Sequence, residues 1–234
     1  MNAETADAIL SSRLFQVIQH IIVLLTAFPI HESAHALTAD LLGDHTARDE
    51  GRISLNPFRH FSLMGTLLMI FVGVGWAKPV PIDARNFKNP KNGMALTALA
   101  GPLSNLLLAF ISMIIYRCLD CYYGVKGIDS LYQLIITEIV GASVYINIGL
   151  AVFNMLPFPP MDGSRIFNLV MTENAYFNIM KYERYILAVT LIAVYSGLLD
   201  KPLAWLQYNT MSIMVTLTNW VDVLMNLLMG TQAA

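Results

Sequence analysis

The sequence predicts an all-α polytopic membrane protein. It has five to six transmembrane helices and a re-entrant, partly extended segment between the first and second full spans. Three observations predict this. Of 234 residues, 56% are apolar and only 13% are charged, about half the charge of a soluble domain at roughly 25%. Several stretches reach the length of about 20 apolar residues that crosses a bilayer. Finally, the Lys and Arg residues divide unevenly around those stretches, as orientation in a membrane requires.

The elements follow in chain order. Residues 14–42 are apolar apart from a short polar cluster that includes His31, Glu32 and His35. The residues before them carry Glu4 and Asp7 and no Lys or Arg before Arg13. That is the wrong charge for a secretory signal peptide, so this stretch is expected to be retained. Residues 61–77 are apolar but short, with glycines at 65, 73 and 75. Residues 93–116 and 131–158 are full-length candidates. Residues 185–199 form a shorter one, and 203–229 a long one with scattered Asn, Thr and Asp222.

Charge decides how 61–77 is read. If it spans, Lys and Arg divide eight against six between the two faces. If it dips in and returns, residues 43–92 form one loop carrying seven cations, and the division becomes ten against four. The positive-inside rule favours the second arrangement: five full spans, an outer N-terminus and a cytoplasmic loop. Such a dipping backbone survives only where protein or a water-filled cavity shields it. No repeat or Gly/Ser linker divides the chain, so one membrane domain over 1–234 is expected. A net charge of −2 gives no basic field for nucleic acid. Cys118 and Cys121 are too few for a disulfide scaffold. They read as boundary cysteines, with a disulfide as the alternative.

His31-Glu32-Ser33-Ala34-His35 is an HExxH motif. Positions i and i+4 share a helix face, so both imidazoles reach one metal ion. Glu32 lies on the adjoining surface, close enough to take a proton from an attacking water. Ionisable groups inside a membrane helix are costly, which marks them as functional. A catalytic zinc site usually has three protein ligands. The candidates for the third are His20, His45, His60 and Asp162. Asp162 follows Pro157, Pro159 and Pro160, which end the preceding helix. It is the only acid between Glu138 and Glu173, and in the five-span arrangement it shares the cytoplasmic side with His31 and His35.

Taken together, these residues resemble the site-2 proteases, a family of intramembrane zinc metalloproteases, and in particular their short bacterial branch without PDZ or CBS domains. The resemblance rests on HExxH at 31–35, Gly43-Asp44, Arg52 through Pro57 and His60. It continues through Gly75 to Pro81, Ala100-Gly101-Pro102 with Asn105, and Asn154 through Arg165. It covers about residues 20–170. It implies His31, His35 and Asp162 as ligands of Zn2+, Glu32 as the catalytic acid–base, and Asn154 as a substrate contact. Asn105 is a second candidate for substrate contact, or else a hydrogen-bonding residue between helices. Two departures are visible. Met161 replaces the usual Leu, a volume-conserving change, and His45 stands where Pro is usual.

The implied activity is endoproteolysis of peptide bonds in or next to transmembrane segments of membrane proteins. The partners are a membrane-protein substrate and the lipid bilayer. The site would lie nearer the cytoplasmic face of the inner (plasma) membrane. The catalytic core is expected over about 14–170, with accessory helices over about 183–229. A substrate helix must unwind before cutting, and the apolar, non-helical residues 53–55 and 72–82 are expected to offer it a strand edge. Two competing functions are a zinc-binding scaffold without catalysis and a transporter. The intact Glu32 argues against the first, and the lack of an inverted repeat argues against the second.

Overall fold

The computed structural model describes residues 12–60, 62, 78–128 and 130–230. Eight helices lie among them: α1 (Arg13–Leu41), α2 (Thr46–Asp49), α3 (Pro90–Lys126), α4 (Leu131–Asn154), α5 (Asp162–Phe167), α6 (Glu173–Met180), α7 (Glu183–Tyr195) and α8 (Asp200–Met229). No strand occurs among the described residues. Four helices are long and apolar enough to cross a membrane: α1, α3, α4 and α8. The expected span over 185–199 corresponds to α7, which has 13 residues and so extends about 20 Å. The re-entrant reading of 61–77 lies outside the described residues except at Ser62.

The chain forms two compact units. One comprises Met1–Leu24, Leu106–Gly149 and Trp205–Ala234; the other comprises Leu25–Asn105 and Leu150–Ala204. In the first unit, helices are joined by polar side chains. Gln19 Nε2 donates to the Glu138 carbonyl at 2.6 Å, and the Ser112 and Ser143 hydroxyls meet at 3.0 Å. Arg117 on α3 pairs with Asp222 on α8 and donates to the Asn219 amide oxygen at 3.0 Å. In lipid, where apolar contact alone gives helices little reason to associate, such bonds hold them together.

In the second unit, α1 ends in a Schellman turn. Gly43 has φ of 106°, a conformation glycine adopts without strain. Its N–H donates to the Asp40 carbonyl at 3.1 Å, and the Asp44 N–H donates to the Ala39 carbonyl at 2.9 Å. The turn delivers Asp44 into a fully buried position. There its carboxylate accepts from Thr46 Oγ1 at 2.6 Å, Asn86 Nδ2 at 2.8 Å and the Asp83 N–H at 2.8 Å. Burial alone would raise this carboxyl's pKa, but the donors outweigh it and hold it below the usual carboxylate range.

The same unit ties down both flanks of 61–77. The Lys78 N–H donates to the His60 carbonyl at 2.6 Å. Buried Arg52 donates to the Lys78 carbonyl at 2.6 Å. The helices α1 and α3 run antiparallel here. His35 meets Thr97, and a Cβ built on Gly101 would overlap the rings of both His35 and His31.

Candidate metal centre

The C-terminal half of α1 presents His31 and His35 one turn apart, both buried. Their rings stand edge to face, with centroids 4.6 Å apart. Both Nε2 atoms point the same way, 3.1 Å from each other. Gly101 makes this possible, because any larger residue on α3 would occupy the space of the two rings. His35 Nδ1 lies 2.7 Å from the Thr97 carbonyl. A carbonyl only accepts, so Nδ1 carries the proton. In the neutral ring, Nε2 then keeps its lone pair for the cluster.

Asp162 arrives from the end of α4. The prolines at 157, 159 and 160 cannot continue a helix, and the chain turns after Asn154. Gly163 packs so tightly on the turn that a Cβ there would strike the Met155 and Leu156 carbonyls. Ser164 closes the start of α5 by donating from Oγ to the Met161 carbonyl at 2.7 Å. Asp162 thereby becomes the first residue of α5. Its Oδ2 lies 3.2 Å from His31 Nε2 and 3.4 Å from His35 Nε2.

His31, His35 and Asp162 each offer a ligand atom, and these atoms lie within 4.8 Å of one another. Asp162 Oδ2 is buried and takes no hydrogen bond among the described residues. An orphaned buried carboxylate oxygen costs about 1–3 kcal/mol or more. Two nitrogen lone pairs and that oxygen facing one point fit a divalent cation that accepts N and O ligands.

The other expected candidates lie elsewhere. His20 Nδ1 sits 2.7 Å from the Gln16 carbonyl of its own helix. His45 pairs with Asp40 at 2.6 Å. His60 is fully buried, with Nε2 held 2.6 Å from the Ser54 carbonyl. Glu32 is half-buried on α1 next to His31 and makes no hydrogen bond or ion pair among the described residues. Asn154 is also half-buried, and its Nδ2 donates back to the Leu150 carbonyl at 3.0 Å. Asn105 is fully buried, with both amide atoms unpartnered among the described residues. Thr97 contributes through its main chain, which no side-chain motif reveals. A four-residue spacing of Thr97, Gly101 and Asn105 is the only trace of it in the sequence.

Beside this site, Ser33 Oγ donates to the Ser54 carbonyl at 2.7 Å and accepts from the Ser54 N–H at 3.2 Å. These bonds hold residues 53–55 against α1. A cavity of about 360 Å³ lies there, lined by Ile30, Ala34, Leu37, Ile53, Leu55 and Ser104 among others.

Three potential metal ligands thus meet where an apolar helix, α1, faces the start of α5, an arrangement that suits a membrane-embedded metalloenzyme. The family model for peptidase family M50 matches residues 19–198, and the chain belongs to that family, the site-2 protease family. It is 36% identical over 172 residues to YwhC of Bacillus subtilis, named as a candidate zinc metalloprotease, covering 74% of this chain and 78% of that protein. It is 30% identical over 164 residues to the candidate zinc metalloprotease MJ0611 of Methanocaldococcus jannaschii, covering 65% of this chain and 72% of that one. It is 28% identical over 147 residues to the candidate zinc metalloprotease Rip2 of Mycolicibacterium smegmatis. That match covers 59% of this chain and 52% of Rip2, so the chain spans about half the length of that relative. No solved structure matches at a significant level. Family membership and four apolar helices make this a multi-pass membrane protein.

Proposed function

We propose that the chain is an intramembrane zinc metalloendopeptidase. It hydrolyses peptide bonds in or next to transmembrane segments of membrane-protein substrates. The observation that carries this is the convergence of His31, His35 and Asp162 within 4.8 Å, one residue from Glu32. In this reading the three residues hold zinc. When bound, zinc polarises the scissile carbonyl and makes water acidic enough to react near neutral pH.

The chain's own groups do the rest. Glu32, without a hydrogen bond among the described residues, takes the proton of the attacking water and returns it to the leaving amine. Thr97 holds His35 in the tautomer that presents Nε2. Asn154 releases its bond to Leu150 and orients the substrate backbone. Residues 53–55, pinned by Ser33, present an edge to an unwound substrate, and the adjoining apolar cavity takes one of its side chains.

The whole chain acts as one domain, with a core over about 14–170 and accessory helices over about 183–229. Its place is the inner membrane, with the site nearer the cytoplasmic face. What supports this orientation is the ten-to-four division of cations. The antiparallel packing of α1 on α3 supports the re-entrant reading: the end of α1 and the start of α3 then share one side, and the chain between them makes no net crossing. His35 and His31 sit about 9 and 15 Å from the end of α1 at the helical rise per residue.

The test is Glu32→Gln. Purified protein should keep one zinc per chain by metal analysis, while cleavage of a co-expressed membrane substrate falls by about 10²–10⁴-fold. Undiminished cleavage would overturn the assignment of Glu32 and of hydrolysis at this site.

A further inference from the structure

Asn105 stands out in the second unit. It is completely buried, yet neither its oxygen nor its nitrogen has a partner among the described residues. His31 Nδ1 is buried and unpartnered as well. The other histidine of the cluster has its outer contact accounted for: His35 Nδ1 rests on the Thr97 carbonyl.

Helix register relates the two orphans. Thr97, Gly101 and Asn105 recur every four residues, so they share one face of α3. That face runs antiparallel to α1. Thr97 is level with His35, and Gly101 lies against both rings. One further turn brings Asn105 past Gly101 toward His31. The His31 ring approaches Gly101 through Cε1, the carbon that joins Nδ1 and Nε2, so the ring lies against this face of α3. If Nε2 of His31 faces a metal, Nδ1 must carry the proton, and that N–H requires an acceptor in a dry site.

We propose that Asn105 is the positioning partner of His31. Its amide oxygen accepts from one buried water that in turn accepts the Nδ1–H bond, so that Asn105 serves His31 as the Thr97 carbonyl serves His35. The proposal rests on the metal-site reading above. It gives α3 one task in two places: a main-chain acceptor for one histidine and a side-chain acceptor for the other, with Gly101 between them as clearance.

The experiment measures zinc affinity of the full chain in detergent by chelator competition, alongside cleavage. Asn105→Ala should weaken zinc by about 10–100-fold, and Asn105→Asp, which keeps an acceptor oxygen, should recover most of it. Asn105→Ala with wild-type zinc affinity overturns the proposal. If cleavage alone is lost, Asn105 is a substrate contact instead. If Asn105→Ala does not fold, ¹⁵N-histidine spectra of the zinc-loaded wild type decide. A slowly exchanging His31 Nδ1–H supports the proposal, and a freely exchanging one overturns it. Wild type that takes up no zinc breaks the metal reading itself, whereas wild type that takes it up with unchanged affinity in Asn105→Ala breaks only the proposal.

Discussion

The two compact units differ in how completely they satisfy their buried polar groups. In the unit of Met1–Leu24, Leu106–Gly149 and Trp205–Ala234, most of them are spent on one another. Arg117 reaches Asp222, Asn219 and the Val215 carbonyl. Asn147 donates to the Ser143 carbonyl at 2.8 Å and keeps only its oxygen unpartnered. In the unit of Leu25–Asn105 and Leu150–Ala204, Asp44 is satisfied in the same manner, but one cluster is not. His31, His35 and Asp162 turn toward one point, their ligand atoms within 4.8 Å of one another, and Asp162 Oδ2 has no hydrogen bond among the described residues. Lipid cannot relieve either arrangement, so each must serve a purpose. Satisfied pairs join helices. A convergent, unsatisfied set is what the proposed metal ion would complete.

The strongest way to break this contrast is at Gly101. A Gly101→Val side chain would occupy the space of both imidazoles, so zinc content should fall by at least about 100-fold in affinity. Helical content by circular dichroism should stay near wild type. Normal zinc binding in that variant would mean that α3 does not set the cage. The matching change in the other unit is Arg117→Met. It strands Asp222, whose side chain is 45% exposed, and the partial exposure limits the cost to about 1–2 kcal/mol. Thermal unfolding in detergent should shift down, while zinc stoichiometry stays at wild-type level. Loss of zinc would show that the two polar systems are not independent.

A smaller effect is expected at Asp44, which stabilises the turn after α1 and touches no zinc ligand. Its carboxyl is held below the usual range in the folded protein. Its contribution is therefore present above the unfolded value near 3.9 and lost as pH falls through the lower folded value. Asp44→Asn should lower the melting temperature at pH 6, and the gap from wild type should close as pH approaches 3. A gap that widened on acidification would refute this. The least perturbing test concerns the flanks of 61–77. Because His60 and Lys78 share a main-chain bond, they sit at one depth. Single cysteines at Phe58 and Val80 should label from the same side of sealed vesicles. Labelling from opposite sides would remove the re-entrant reading.

The amino-acid sequence by itself determined the solvent and the chemistry of this protein. Low charge and long apolar runs select lipid, because the energy of burying charge there leaves no other distribution. HExxH names two histidines of the cluster and the glutamate beside them, because helix periodicity places i and i+4 together whatever the fold. The prolines before Asp162 announce a helix end by the same local logic. Tertiary structure alone brought Asp162, and not His20, His45 or His60, beside His31 and His35. That placement depends on contacts more than a hundred residues apart, between His31 and Asp162, which no local pattern encodes. It also decided that α7 is a short helix, and that a main-chain carbonyl at Thr97 serves as the second support of His35. The need for Gly101 emerged only there too, since a glycine's value lies in the atoms that it lets approach.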